Sequence, residues 1–205
     1  MIRLACLVVW ALAALTATAA GLAPGDHEFS IRHNGLARTY LVYMPPRTAE
    51  AHLPVVLNFH GGGGNARIQK WYTRMDETAQ REGFVAVYPN GTGGIAGRFL
   101  TWNAGTCCGA AAAGNVDDVG FVVALLDDLA ERTPVDRTRI YATGLSNGSM
   151  MAYRVAAEAT GRVAAVAGVA GAMTLPRFSP DRPVPVMHIH SVDDGRALYD
   201  GGLGP

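Results

Sequence analysis

Three short segments of the chain carry residue types that could cooperate in acyl transfer. The first is Gly144-Leu145-Ser146-Asn147-Gly148, a G-x-S-x-G pattern set between an apolar run and a helix-forming stretch. A sharp strand-to-helix turn holds its serine in a strained backbone conformation, so its neighbours must be small, and glycine on both flanks meets that demand. The following helix aims backbone N–H groups and partial positive charge at any anion formed there. Ser146 is therefore the candidate nucleophile; the plainer alternative, an incidental glycine-serine turn, does not account for the strand before it and the helix after it.

The second segment is His60-Gly61-Gly62-Gly63, directly after an apolar run. An attacked ester carbonyl becomes an oxyanion, which two preorganised N–H donors can hold. The expected donors are the backbone N–H of Asn147, next to the nucleophile, and one from Gly61 or Gly62, where the absence of side chains lets the backbone come close. A phosphate-binding loop is excluded because the Gly-Lys-Ser/Thr ending is missing. His60 reads as a brace for this loop and not as a base.

The third segment is His188-Ile189-His190-Ser191-Val192-Asp193-Asp194. Where a nucleophile elbow leads, the acid of the triad comes later in the chain and the histidine last. Asp194 is the chosen acid, with Asp193 second and a solvated acidic turn as the uneventful reading. His188 and His190 share one strand face and raise the thought of zinc. Such a site normally takes at least three protein ligands, and the sequence holds no third cluster. No metal and no cofactor is expected.

The elements that position these segments follow from hydrophobic periodicity. Glu28 to Arg32 and Ala37 to Met44 read as a hairpin about Asn34-Gly35, a dipeptide suited to a type I′ turn. Leu53–Phe59, Phe84–Tyr88, Arg139–Thr143, Val163–Val169 and Val184–His190 read as further strands. Arg67–Glu82, closed by Gly83, together with Asp117–Arg132 and Asn147–Thr160, read as helices. Alternating strands and helices imply an α/β fold, a mostly parallel sheet with helices on both faces and the hairpin at one edge. Functional residues should then lie just past the carboxyl ends of strands, where all three segments fall. The glycine-rich stretch Pro89–Gly114 reads as a long functional loop. It contains Trp102, which is either an aromatic platform for substrate or an anchor for the loop.

The composition suits one domain: 205 residues, 49% hydrophobic and 17% charged, with 17 basic residues against 17 acidic ones. This even balance gives no footprint for nucleic acid. Residues 1–23 read as a signal peptide, with Arg3, an apolar run from Leu4 to Leu15 and small residues near Ala17-Thr18-Ala19. The run falls short of the ~20 residues needed to cross a bilayer, so no stable membrane anchor is expected and the chain is expected outside the cell or in the periplasm. The remainder, 24–205, is one partial catalytic domain. Cys6 leaves with the leader. A bridge between adjacent Cys107 and Cys108 strains the backbone, which favours a more distant partner for one of them, and two plain thiols remain open.

Several strings in fixed order resemble a known family: His60-Gly61-Gly62-Gly63, Trp102-Asn103-Ala104-Gly105, Cys107-Cys108-Gly109, Asn115-Val116-Asp117-Asp118-Val119, Tyr141 through Gly148, Met150 through Arg154, and His188-Ile189-His190 leading to Asp194. Together they are similar to the secreted poly(3-hydroxybutyrate) depolymerase-like esterases of the α/β-hydrolase superfamily, a group that includes feruloyl and acetylxylan esterases and the LpqC-type proteins. The resemblance implies a cofactor-free serine hydrolase acting on polysaccharide-linked aryl or acyl esters or on polyester, with Ser146 as nucleophile and Asp194 as acid. Ser149 stands where the family usually has glycine. Relatives run on for roughly a hundred further residues, and the resemblance places the catalytic histidine there, with a last strand and helix. The expectation is thus an incomplete chain with an exposed strand edge, poor solubility and ester hydrolysis barely above background. The alternative from another functional class is a binding protein that kept the fold and lost the base.

Overall fold

The computed structural model describes residues 21–46 and 51–201. Seven strands and five helices follow one another as β1 (Gly25–His33), β2 (Leu36–Met44), β3 (Leu53–Phe59), α1 (Ala66–Thr73), α2 (Met75–Glu82), β4 (Val85–Pro89), α3 (Gly109–Ala113), α4 (Asp118–Arg132), β5 (Val135–Leu145), α5 (Asn147–Glu158), β6 (Ala165–Val169) and β7 (Val186–Ile189). They form one sheet in the order β1-β2-β4-β3-β5-β6-β7. The β1–β2 and β2–β4 pairs are antiparallel and every other pair is parallel. The hairpin therefore sits at one edge, as its turn chemistry suggested: Asn34 and Gly35 both take positive φ, 47° and 80°, as a type I′ turn requires.

Strand alternation divides the core between two faces. Tyr40, Val42, Leu57, Phe59, Val85 and Val87 pack with Phe121, Leu125 and Leu129 of α4 and with Met151 and Val155 of α5. Leu41, Ala86 and Tyr88 point the other way, onto Ala66 of α1 and Ala79 of α2. Helices thus cover both faces of the sheet. The hairpin turn is tied to the start of α4, since His33 and Asn34 reach the Asp117 carboxylate at 2.9 and 3.1 Å and Asp117 also caps that helix through the Gly120 N–H.

Beyond shifts of two or three residues at other element ends, four features differ from the sequence expectations. The single helix expected over 67–82 is two, broken at Arg74 in the left-handed region with φ 49°. No glycine or proline marks the break, which has a tertiary cause: the Thr73 hydroxyl donates to the Gln69 carbonyl and accepts from Asn58, while Asp76 takes the Tyr88 hydroxyl and the Lys70 ammonium. The stretch 89–114 is not wholly loop. It contains α3, and the pairings Thr92↔Thr101 and Ile95↔Arg98 make a small hairpin. β5 begins four residues earlier than expected, at Val135. β7 is shorter, Val186–Ile189, and as an edge strand it is exposed throughout. The expected leader falls almost wholly outside the described residues, and Cys6 with it. Among the described residues no helix is long and apolar enough to cross a membrane.

The Arg74 break yields a stability prediction. A left-handed L-residue costs about 1–2 kcal/mol, and glycine avoids the cost at some loss of chain entropy. Against this stands only an exposed ion pair between Arg74 and Glu77, worth a few tenths of a kcal/mol at most. Arg74→Gly should raise unfolding stability by about 0.5–1 kcal/mol, read as a higher urea midpoint at unchanged slope. A lowered midpoint would show that the ion pair or the helical propensity of Arg74 outweighs the backbone strain.

Candidate active site

β5 delivers Ser146 directly into α5 through a turn that only glycine can flank. Ser146 has φ 53° and ψ −119°, outside every comfortable region for an L-residue, and it is exposed. A Cβ on Gly144 would stand 2.5 Å from the Gly148 carbonyl carbon, and one on Gly148 would stand 2.2 Å from the Phe59 carbonyl oxygen. Neither position admits a side chain. The Ser146 N–H donates to Val169 O at 2.8 Å, and its own carbonyl takes the Met150 N–H at 3.1 Å, so both sides of the strained residue are tied. The N–H of Asn147 opens α5 and has no partner inside the helix.

The loop after β3 faces this elbow at van der Waals range. A Cβ on Gly61 would lie 3.7 Å from the Ser146 Cβ, and one on Gly62 would lie 3.6 Å from the Asn147 Cβ. The Gly63 N–H donates to Leu100 O at 2.8 Å and the Gly64 N–H to Gly61 O at 3.0 Å. The N–H groups of Gly61 and Gly62 have no hydrogen-bond partner among the described residues. Two free backbone donors beside an exposed serine, with a helix N-terminus below, can accommodate a developing oxyanion.

Past β7 the chain turns at Asp193 and Asp194. Leu145, Val169 and Ile189 occupy one register row across β5, β6 and β7, so Ser146 and the β7 turn leave the same edge of the sheet. Asp194 accepts the backbone N–H groups of Ala197 and Arg196 at 3.0 and 2.9 Å. These bonds hold its carboxyl below the usual range, Ala197 contributing most. It lies 3.5 Å from His190 Nε2, which itself donates to Ala197 O at 2.6 Å. Asp193 is exposed. His188 meets the Tyr153 hydroxyl through Nδ1 at 2.6 Å and stacks on His190. No group of three metal-ligating side chains occurs among the described residues.

The chain matches the family model described as esterase PHB depolymerase over residues 38–204. It is 30% identical over 169 residues to a bifunctional acetylxylan esterase/xylanase, XynS20E, of Neocallimastix patriciarum, covering 82% of this chain and 23% of that protein. It is 27% identical over 161 residues to feruloyl esterase B of Piromyces equi, covering 76% of this chain and 29% of that one. The chain belongs to the esterase PHB depolymerase family. A solved acetyl xylan esterase from Aspergillus awamori shares the fold, with TM-score 0.57 at 16% identity over 72% of this chain and 53% of that one. Against these first two relatives the chain spans between a fifth and a third of their length.

In this family member two expectations from sequence are corrected. Trp102 is fully buried and offers no face to a substrate. Its indole N–H donates to His60 O at 3.0 Å, and its ring meets Phe59 edge-on at 5.2 Å. It anchors the long loop beneath the glycine loop. His60 is the brace it was expected to be: Nε2 accepts the Gly91 N–H at 3.0 Å while Nδ1 faces Gly61 O at 2.8 Å, which fits a neutral ring protonated at Nδ1. The Cys107 and Cys108 sulfurs are bonded to each other, in place of the distant partner that seemed easier from sequence.

Sequence reasoning missed the groups that hold this loop in place. The Asn147 side chain is buried, taking the Trp102 N–H at 2.7 Å and donating to Trp102 O at 3.1 Å. Asp118 accepts from Arg38 at 2.6 Å and from the Asn103 N–H at 2.8 Å. Arg154 donates to Asn103 O at 2.7 Å. Ser149 is buried and donates to Gly171 O at 3.2 Å. The available signal was that Asn103, Asp118, Asn147 and Arg154 lie in strings carrying the family resemblance, which gives them no structural role.

Burial drives the His60 pKa down to about 4, against the Gly61 carbonyl that favours its protonation. The folded state thus resists a proton that the unfolded chain accepts near pH 6.5. Stability from this group is fully present above pH 6.5 and is lost as pH falls toward 4, by on the order of 3 kcal/mol. Urea unfolding at pH 7 and pH 4.5 should show a smaller acid loss for His60→Gln than for the wild type. Equal losses would mean that His60 is not the group that senses acid.

Proposed function

We propose that the chain is a secreted serine carboxylic-ester hydrolase working through an acyl-enzyme. Its substrates would be polysaccharide-linked aryl or acyl esters, or a polyhydroxyalkanoate polyester. The observation that carries the mechanism is the exposed Ser146 in its strained turn, facing the free N–H groups of Gly61 and Gly62. The names of the relatives support the ester class: feruloyl names an aryl acyl side, and acetylxylan names a polysaccharide as the alcohol side.

Ser146 Oγ attacks the ester carbonyl carbon and gives its proton to an imidazole. The carbonyl oxygen becomes an oxyanion held by the N–H groups of Asn147 and the Gly61-Gly62 loop. The tetrahedral species collapses, the C–O bond to the alcohol breaks, and the alcohol leaves with the imidazole's proton. Water then repeats the sequence on the acyl-serine and frees the acid. Asp194 holds the imidazole's tautomer and stabilises its charged form. No cofactor enters any step.

A second reading, a binding protein on the same fold, draws on one observation. Among the described residues no hydrogen bond joins Ser146 Oγ to a histidine, and His60, His188 and His190 are engaged elsewhere. One experiment separates the two. In the full-length gene product, Ser146→Ala should cut hydrolysis of methyl ferulate, acetylated xylan or p-nitrophenyl acetate by roughly four to six orders of magnitude with the fold intact. Undiminished hydrolysis would overturn the serine mechanism, and a wild type with no hydrolysis of any of these esters would favour the binding protein.

A further inference from the structure

α1 is turned inside out. Its buried residues are Ala66 and Gln69, and Gln69 is spent on a side-chain hydrogen bond to Asn58 at 2.7 Å. Its large apolar residues face solvent: Ile68 is 51% exposed, Tyr72 62% and Trp71 76%. An amphipathic surface helix does the reverse, and aromatic residues stranded in water mark a binding surface more often than a folding need.

Trp71 and Tyr72 border a groove of about 900 Å³ between α1, the start of α2 and the β1–β2 hairpin. This lies within the ordinary size of ligand sites, about 300–1,000 Å³. Leu41 and Val42 join the two aromatic rings in its apolar lining, and apart from His27 the remaining lining residues are charged. Those charges are almost all matched: Arg67 with Glu28 at 2.5 Å, Lys70 with Asp26 at 2.8 Å and with Asp76, and Arg74 with Glu77 at 2.6 Å. Four carboxylates thus face three cations, leaving almost no net field to attract an ion. Covering such a rim with an apolar partner would strip water from charged groups at a cost. A neutral ligand dense in hydroxyl groups suits it, because donors and acceptors alternate around the rim. The C–H faces of sugar rings stack on aromatic faces such as those of Trp71 and Tyr72.

We infer that this groove is a glycan subsite that holds a neutral polysaccharide chain outside the catalytic elbow. α1 begins directly after the glycine loop, and Trp71 lies about 8 Å along the helix axis from Ala66 at 1.5 Å per residue. A chain seated on Trp71 therefore has a short path to the oxyanion loop. The inference rests on the polysaccharide-ester reading for its purpose, but the binding itself needs no ester and no catalysis.

The test uses the full-length protein and a soluble, fully de-esterified neutral xylan in affinity electrophoresis, with binding constants from calorimetry. Trp71→Ala and Tyr72→Ala remove exposed rings, so folding is not at stake. Each should bind the glycan about tenfold more weakly while p-nitrophenyl acetate turnover is unchanged, and Ser146→Ala should bind as the wild type does. Unchanged affinity in both ring variants, no retardation of the wild type, or a dimer that depends on Trp71 would each overturn the subsite. Ring-dependent binding by a protein that cleaves no polysaccharide ester would instead sink the proposed substrate and leave the subsite standing.

Discussion

The structure depends most on how closely three backbones approach at Ser146. Phe59 O of β3, the Gly148 backbone of α5 and the Ser146 carbonyl all lie where a glycine Cβ would otherwise be, at 2.2 Å for Gly148, 2.5 Å for Gly144 and 2.3 Å for Gly171. Contacts this short leave no side chain to adjust, so the ends of β3, β5 and β6 are positioned against one another by main chain alone. The strained φ and ψ of Ser146 cost on the order of 1–3 kcal/mol. They persist because its N–H and C=O are fixed to Val169 and Met150, and because any relaxation would drive Gly148 into β3.

That rigidity extends outward through buried polar groups. The Asn147 amide clamps both backbone groups of Trp102, Trp102 holds His60 O, and His60 receives the Gly91 N–H. The residue expected to donate an N–H to the oxyanion therefore also fixes the loop opposite it. One step further, Arg38 and Asp118 are buried together and bind Asn90 O and the Asn103 N–H, which pins both flanks of the 92–101 hairpin. Burial pushes the Asp118 carboxyl up and the Arg38 guanidinium down, so the pair survives as ions only through mutual attraction and these extra bonds. The Arg38 guanidinium also lies 3.9 Å above the Phe121 ring, a cation–π contact that offsets part of its desolvation.

The sequence made legible what repeats or what only glycine can do. Period-two and period-3.6 patterns placed the strands and most helices, and the glycines around residues 61 and 146 marked the two loops that meet at the candidate site. Its failures share a cause. Trp102 and Arg74 have local chemistry that permits either outcome, and their roles are decided by residues further along the chain: His60 and Asn147 for the first, Asn58 and Tyr88 for the second. Asp118 and Arg38 are 80 positions apart, and nothing local shows that two charged residues in an amphipathic helix and a hairpin strand will be buried together. The exposed aromatics of α1 were equally silent, because period alone does not tell which face of a helix turns inward.

The two aspartates after β7 show how backbone geometry can rank what residue type cannot. Asp193 and Asp194 are neighbours with the same chemistry, and in sequence they differ by one position. In the fold, Asp194 receives two backbone N–H bonds and stands beside His190, whereas Asp193 is exposed and only its own N–H is used, donated to the Ser191 hydroxyl at 3.2 Å. A triad acid must stay ionised and hold one orientation while a positive charge forms on its histidine. Backbone donors do both: they favour the carboxylate over the acid and remove rotamer freedom before the reaction begins. Two strand spacings, on the order of 10 Å, separate the β5 and β7 backbones. The strand order β5-β6-β7 thus brings Ser146 and the turn that carries Asp193 and Asp194 to the same edge of the sheet.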